Sequence, residues 1–139
     1  RMTMAGMSIF DISGRAMSAQ LLRLNTTASN LANAGSVANS EKGAFRARKP
    51  VFETHFDQAS GGANATVDVV EIVQSNATPV KRYEPGHPMA DKQGFIYEAA
   101  VDQTQEMVEL LEASRQYQNN VEVIQTAKSL MLNTLKLGQ

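Results

Sequence analysis

A chain of 139 residues with a net charge of −1 fits one domain, or one small core with extended helical ends. That charge sets up no field to hold nucleic acid or an anionic membrane, and with no cysteine there is neither a disulfide framework nor a thiolate nucleophile. Aromatics make up only 6% and tryptophan is absent, so the apolar mass is Leu, Val, Ile, Ala and Met, the composition of helix seams.

No apolar run reaches the ~18–20 residues needed to span a bilayer. The first ten residues also lack the apolar stretch of a secretory signal peptide. Met2, Met4 and Met7 crowd the N-terminus behind an Arg at position 1, which is not a native start. Residues 1–7 therefore read as an N-terminal extension or a cloning scar. The first helix is expected from about Ser8, where Ser8 and Asp11 resemble a capping box, to Ala34, with Gly35 free to take a left-handed C′ position. Within it Phe10, Gly14, Met17, Leu21, Leu24, Ala28 and Leu31 alternate spacings of four and three, a heptad seam. Ile12, Ala19 and Leu22 fall off the seam and begin a second apolar face.

Residues 36–101 have a different texture, that of an irregular β-rich middle. Ser36–Gly43 reads as a polar loop. Ala44–Phe56 has strand character around Val51 and Phe52, and Thr66–Val73 is β-branched and strand-like. Between them Ala59–Ala65 is a Gly/Ser/Ala/Asn loop tip. Pro79–Tyr83 and Phe95–Val101 can pair as a hairpin. Pro85–Gly86 fits the centre of a type II turn, and Asp91–Gly94 a type I turn closed by a left-handed glycine.

The last helix is expected to begin at Asp102, with Gln105 three residues on, and to end at Leu137 before Gly138. Its seam reads Met107, Leu110, Ser114, Tyr117, Val121, Ile124, Lys128, Met131 and Leu135. Val108, Leu111, Val123, Leu130, Leu132 and Leu137 lie off that seam. Acidic residues lead this helix and lysines close it, which complements the helix dipole. Residues 8–35 and 102–139 thus define a terminal-helix core of coiled-coil-like character, and the fold class is mainly α with a small β-rich middle. A two-helix pair buries one stripe per helix. The second stripe on each helix is left as an interaction surface, so the pattern argues for oligomerisation.

Catalytic and metal-binding chemistry find little support. The histidines are His55, with Glu53 and Asp57 nearby, and His87, with Glu84 and Asp91; no spacing forces either set to converge on a metal. No serine sits in a Gly-x-Ser-x-Gly setting, and Gly61–Gly62 lacks the Lys and Ser/Thr of a phosphate loop. No cofactor, metal, catalytic residue or small-molecule substrate is expected. Arg46, Arg48 and Lys49 form a basic cluster suited to a solvated strand face, or to an acidic patch on a neighbour such as Glu106, Glu109 and Glu112.

The segment Ala28-Ser29-Asn30-Leu31-Ala32-Asn33-Ala34 closely resembles the element that ends the N-terminal helix of flagellar rod and hook proteins. Phe10–Gly14, Ala19–Gln20 with Arg23–Asn25, and the C-terminal Glu122–Val123 with Lys128–Leu135 resemble the same family. Tyr83-Glu84-Pro85-Gly86-His87-Pro88-Met89-Ala90-Asp91 resembles the element of its proximal-rod branch. The resemblance covers residue 8 to the C-terminus. It implies a non-enzymatic subunit passed unfolded through the flagellar type III export channel without a cleaved signal, then folded at the growing end in the periplasmic rod. There its terminal helices would pack into a helical tube that transmits torque around the channel. The implied partners are copies of itself, other rod proteins and the adaptor to the membrane ring, with no nucleic acid and no membrane insertion. The expected subunit-interface or seam residues are Phe10, Met17, Leu21, Leu24, Ala28 and Leu31, with Met107, Leu110, Tyr117, Val121, Ile124, Met131 and Leu135. Opposite the seam of the last helix run Gln105, Glu112, Asn119, Thr126 and Asn133, mostly neutral and polar. A channel wall that unfolded cargo must slide along needs that character, so Asn119, Thr126 and Asn133 are its candidate channel-facing residues.

Overall fold

A computed structural model describes residues 2–56 and 65–138. The loop expected at 59–65 lies, apart from Ala65, outside the described residues. The order of elements is α1 (Met2–Ala32), β1 (Val37–Ala38), β2 (Arg48–Phe56), β3 (Ala65–Gln74), β4 (Lys81–Tyr83), β5 (Phe95–Glu98) and α2 (Gln103–Leu137). The two helices hold 31 and 35 residues, so each is about 46–52 Å long at 1.5 Å per residue.

The end of α1 and both ends of α2 follow from local chemistry. Asn33 N–H closes on the Ser29 carbonyl and Ala34 N–H on that of Leu31, tightening the last turn before the chain leaves the helix. At the start of α2, Asp102 is extended and its carboxylate accepts the Gln105 N–H, satisfying one orphan donor of the first turn. Gly138 closes the other end with its N–H on the Thr134 carbonyl. Both ends of α1 differ from expectation: the helix stops at Ala32, two residues before Ala34, and Gly35 does not take the left-handed conformation. Ser8 lies inside α1 rather than capping it, since nothing between Met2 and Met7 breaks a helix.

The middle forms two small antiparallel sheets, one of order β1-β5-β4 and one made of β2 and β3. The two segments read as strands, β2 and β3, pair as one long ribbon, with a bulge where Val51 faces Glu71 and Phe52 faces Val69, leaving Val70 as the extra residue. Pro50 sits in β2 without a ladder donor, as an edge strand allows. β4 and β5 pair as expected, with Tyr83 opposite Phe95. Inside the expected polar loop, Val37 and Ala38 add a two-residue strand to β5.

Two turns join β4 to β5. Glu84–His87 is closed by His87 N–H on the Glu84 carbonyl, yet Gly94 is the described glycine with positive φ, so the Pro85–Gly86 turn is not type II. Gly94 does take the left-handed conformation, at φ 84°, and its N–H reaches the Asp91 carbonyl. The core of this region is Ile96, fully buried; Ala38, Ala44, Ala47 and Pro79 are buried as well.

α1 is the central element: α2 packs on it, and so does the β2–β3 ribbon. The polypeptide leading into α2 is clamped, with Ala99 N–H on the Ser36 carbonyl, Ala100 N–H on that of Phe45, and Ala47 N–H on that of Ala100. The start of α2, the end of α1 and the base of the ribbon therefore meet at one place.

Candidate functional site: the helix pair and its outward face

The meeting point is held by side chains from the motif at the end of α1. Asn30 is 1% exposed and every polar group of its amide is used. Its Nδ2 donates to the Arg48 carbonyl at 2.8 Å and to Glu106 Oε2 at 3.0 Å, and its Oδ1 accepts the Arg48 N–H at 3.0 Å. The amide thus pairs with the first residue of β2 much as a strand would, while also holding Glu106 of α2, itself 4% exposed. Two turns back, Arg23 places its guanidinium on Glu109, with Nε at 3.0 Å, and reaches Glu112 at 3.4 Å. These contacts run in opposite senses along the two helices, so the pair is antiparallel. Arg15 ties α1 to the ribbon through Asp68 at 3.2 Å, beside an open groove lined by Phe10, Gly14, Leu22, Val67 and Val69.

The stripe between the helices differs from the periodic reading. The most buried residues of the two helices are small or polar: Ser13, Ala19, Thr27 and Asn30 on α1, and Glu106 and Ala113 on α2, with Ala19 bordering the groove toward Val67 and Val69. Of the expected seam residues, Phe10, Met17, Leu24, Leu31, Leu110, Tyr117, Val121, Ile124 and Met131 are half-buried. Leu21, Ala28, Met107 and Leu135 are exposed instead. The offset at the start of α2 has a direct cause: Asn30 draws Glu106 into the interface, which turns its neighbour Met107 outward. Within the chain, Asn30 holds Glu106, and Arg23 holds Glu109 and reaches Glu112. Arg46, in a cleft with Lys42 and Gln74, keeps a buried Nε with no hydrogen-bond partner.

The outward side of α2 is unusually apolar for a surface. Val108, Leu111, Val123, Leu130, Leu132 and Leu137 are all exposed, Leu111 at 67% and Leu137 at 89%. Asn119, Thr126 and Asn133 are exposed as well. At 100° per residue they interleave with Val123, Leu130 and Leu137, so that face alternates polar and apolar side chains and is not purely polar. The ribbon adds a second exposed apolar set in Phe56, Val70, Ile72 and Val73.

The histidines are engaged locally. His87 Nδ1 accepts the Met89 N–H at 3.0 Å within its turn, and His55 lies 3.9 Å from Glu53 and 4.0 Å from Asp68 on the exposed ribbon. Among the described residues no group of three or more His, Asp or Glu is placed to hold a metal. Among the same residues no helix is long and apolar enough to cross a membrane.

Long paired helical ends around a small β middle, with apolar side chains of α2 exposed in the single chain, give the architecture that any family of this chain must match. Residues 10–39 match the family model described as flagella basal body rod protein, and residues 92–137 match that of the flagellar basal body rod FlgEFG protein C-terminal. The chain is 48% identical to the flagellar basal-body rod protein FlgC of Escherichia coli O6:H1, over 98% of this chain and 100% of that one. FlgC of Salmonella typhimurium is likewise 48% identical, and that of Yersinia enterocolitica 46%, each over 98% of this chain and 100% of the relative. The chain belongs to the FlgC family of flagellar basal-body rod proteins and is a structural component of the flagellar basal body.

Proposed function

We propose that the chain builds the proximal segment of the flagellar rod, joining copies of itself and other rod proteins into a torque-transmitting tube around the export channel. It is secreted unfolded by the flagellar type III system without loss of a signal peptide. Its helices then gain their missing burial as each subunit folds at the growing end. The β-rich middle faces neighbours further out, among them the adaptor between the rod and the membrane ring.

The observation that carries this reading is the apolar face of α2 left open in the single chain. Side chains such as Leu111 and Leu130, at 67% and 63% exposure, contribute little to the fold of one subunit. Burying each against a neighbour would contribute about 1–2 kcal/mol. Non-closing heterologous contacts of that kind extend into a helical polymer. The test is complementation with Leu111→Asp and Leu130→Asp together. The variant is expected to fold and be secreted, while basal bodies stop short of a complete rod. Normal motility in that strain would show that this face is not a subunit contact.

A further inference from the structure

Charge is paired unevenly within the chain. Arg15, Arg23, Arg82 and His55 take up most of the described carboxylates, while Asn30 and backbone N–H groups hold Glu106, Asp91 and Asp102. Among the described residues the carboxylates with no such partner are Glu41, Glu71 and Glu122. On the basic side, Lys42, Arg46, Arg48 and Lys49 crowd one short segment and make no ion pair among the described residues.

Arg46 is the member of that segment built into the fold. Its backbone is held on both sides, with Ala100 N–H on the Phe45 carbonyl and Ala47 N–H on that of Ala100. Its side chain is half-buried and lines an open cleft of about 470 Å³ with Glu41, Lys42, Ala44 and Gln74. Among the described residues its Nε is the buried side-chain nitrogen that lacks a hydrogen-bond partner. A guanidinium drawn partly out of water without an acceptor loses hydration and gains no bond in return. A carboxylate arriving from outside meets a cation that is already partly desolvated and already positioned, so the bond forms at little further cost.

Of the unpaired carboxylates, Glu41 lies in the cleft itself and Glu71 on the ribbon that carries Gln74. Glu122 is different. It is exposed on α2, about 30 Å along the chain's own helix from the clamp at Ala100, too far to reach its own cleft. At 100° per residue it lies about 20° around the axis from exposed Leu111 and about 180° from buried Ala113, so it belongs to the outward face.

We propose that Glu122 of one copy enters the Lys42–Arg46 cleft of the next. Cleft and carboxylate occupy different surfaces of one chain, so the contact is heterologous and repeats from copy to copy. Apolar burial is non-directional, and a charge pair fixes where along its neighbour α2 is laid down. The inference rests on the outward face of α2 being a subunit contact and names what meets it.

The test is charge exchange in cells whose only copy of the protein is the variant, scored as basal bodies with a complete rod per cell by electron microscopy. Arg46→Glu and Glu122→Arg alone should each lower that number by about tenfold or more, since each brings like charges together at the contact. Arg46→Glu with Glu122→Arg should restore it to within about twofold of the parent. The two sites are too far apart within one chain for the exchange to repair a folding defect. Lys42→Glu with Glu122→Arg repeats the test at an exposed member of the cleft, where folding is not at stake, and should likewise exceed either of its single variants. Exchanges at both positions that stay as low as the single variants would overturn the proposal, as would normal assembly with Glu122→Arg alone. If the outward-face reading itself fails, Leu111→Asp with Leu130→Asp is neutral as well; if only this pairing fails, that leucine variant still blocks the rod.

Discussion

Two asparagines three residues apart at the end of α1 are expected to differ sharply in importance. Asn33 makes one exposed bond, from Nδ2 to the Ser29 carbonyl at 2.8 Å. Asn30 makes three, and all its partners lie at the junction of α1, α2 and β2. Replacing Asn30 by alanine leaves the Glu106 carboxylate, 4% exposed, without its donor, and leaves the Arg48 amide without its pair. An uncharged group left buried and unpaired costs about 1–3 kcal/mol and a charged one more, so Asn30→Ala should cost on the order of 3–5 kcal/mol. That lies in the upper tail of single substitutions, whereas Asn33→Ala at an exposed bond should stay within about 1 kcal/mol. Urea unfolding of the isolated chain reads both. With an m-value of about 2 kcal/mol/M, the Asn30→Ala midpoint should fall by roughly 2 M and the Asn33→Ala midpoint by less than about 0.5 M. Equal shifts in the two variants would refute the reasoning, because the burial of Asn30 would then carry no energetic weight.

Gly94→Ala should lower the melting temperature, since φ of 84° disfavours any Cβ and a Cβ there would lie 2.9 Å from the Tyr83 ring. The left-handed backbone alone costs about 1–2 kcal/mol, and an unchanged melting temperature would deny the strain. The Asp91 carboxyl sits below its ordinary value, chiefly because it accepts the Phe95 N–H, helped by Gln93 N–H and the nearby Lys81. A folded value below the unfolded one means the contribution is complete above the unfolded value of 3.8 and is lost as pH falls through the lower folded value. The Phe95 amide resonance should therefore titrate with a midpoint below 3.8, and a midpoint at or above it would contradict the bond.

Local signals were legible wherever the chemistry is local. Asp102 with Gln105, Gly138, the β-branched run at 66–73 and the left-handed Gly94 each announce their conformation through a single physical constraint. The turn at Pro85–Gly86 did not, because proline suits the second position of type I and type II turns alike and only the glycine φ tells them apart. The strand Val37–Ala38 is two residues long, too short to leave any periodicity in a polar segment. Ser8 and Asp11 resembled a cap, but a capping pattern inside an unbroken helical stretch marks no boundary. The helix stripe was the most instructive difference. Periodicity finds apolar faces, and α2 has more than one, so it cannot say which faces its own partner helix and which is held for another chain. The deciding residues were Asn30 and Glu106, whose polarity argued for the surface. Their burial makes sense only as a pair, one donating to the other across two elements distant in sequence.

The central claim is that the outward face of α2 is a contact between subunits in the flagellar rod. A density map of the intact basal body, with this chain traced through it, tests that most directly. Leu111, Val123, Leu130 and Leu137 should each lie against a helix of a neighbouring subunit, with the Asn30–Glu106 contact preserved inside every copy. A traced chain whose α2 presents those four side chains to open solvent, or a rod in which the chain is absent, would contradict it.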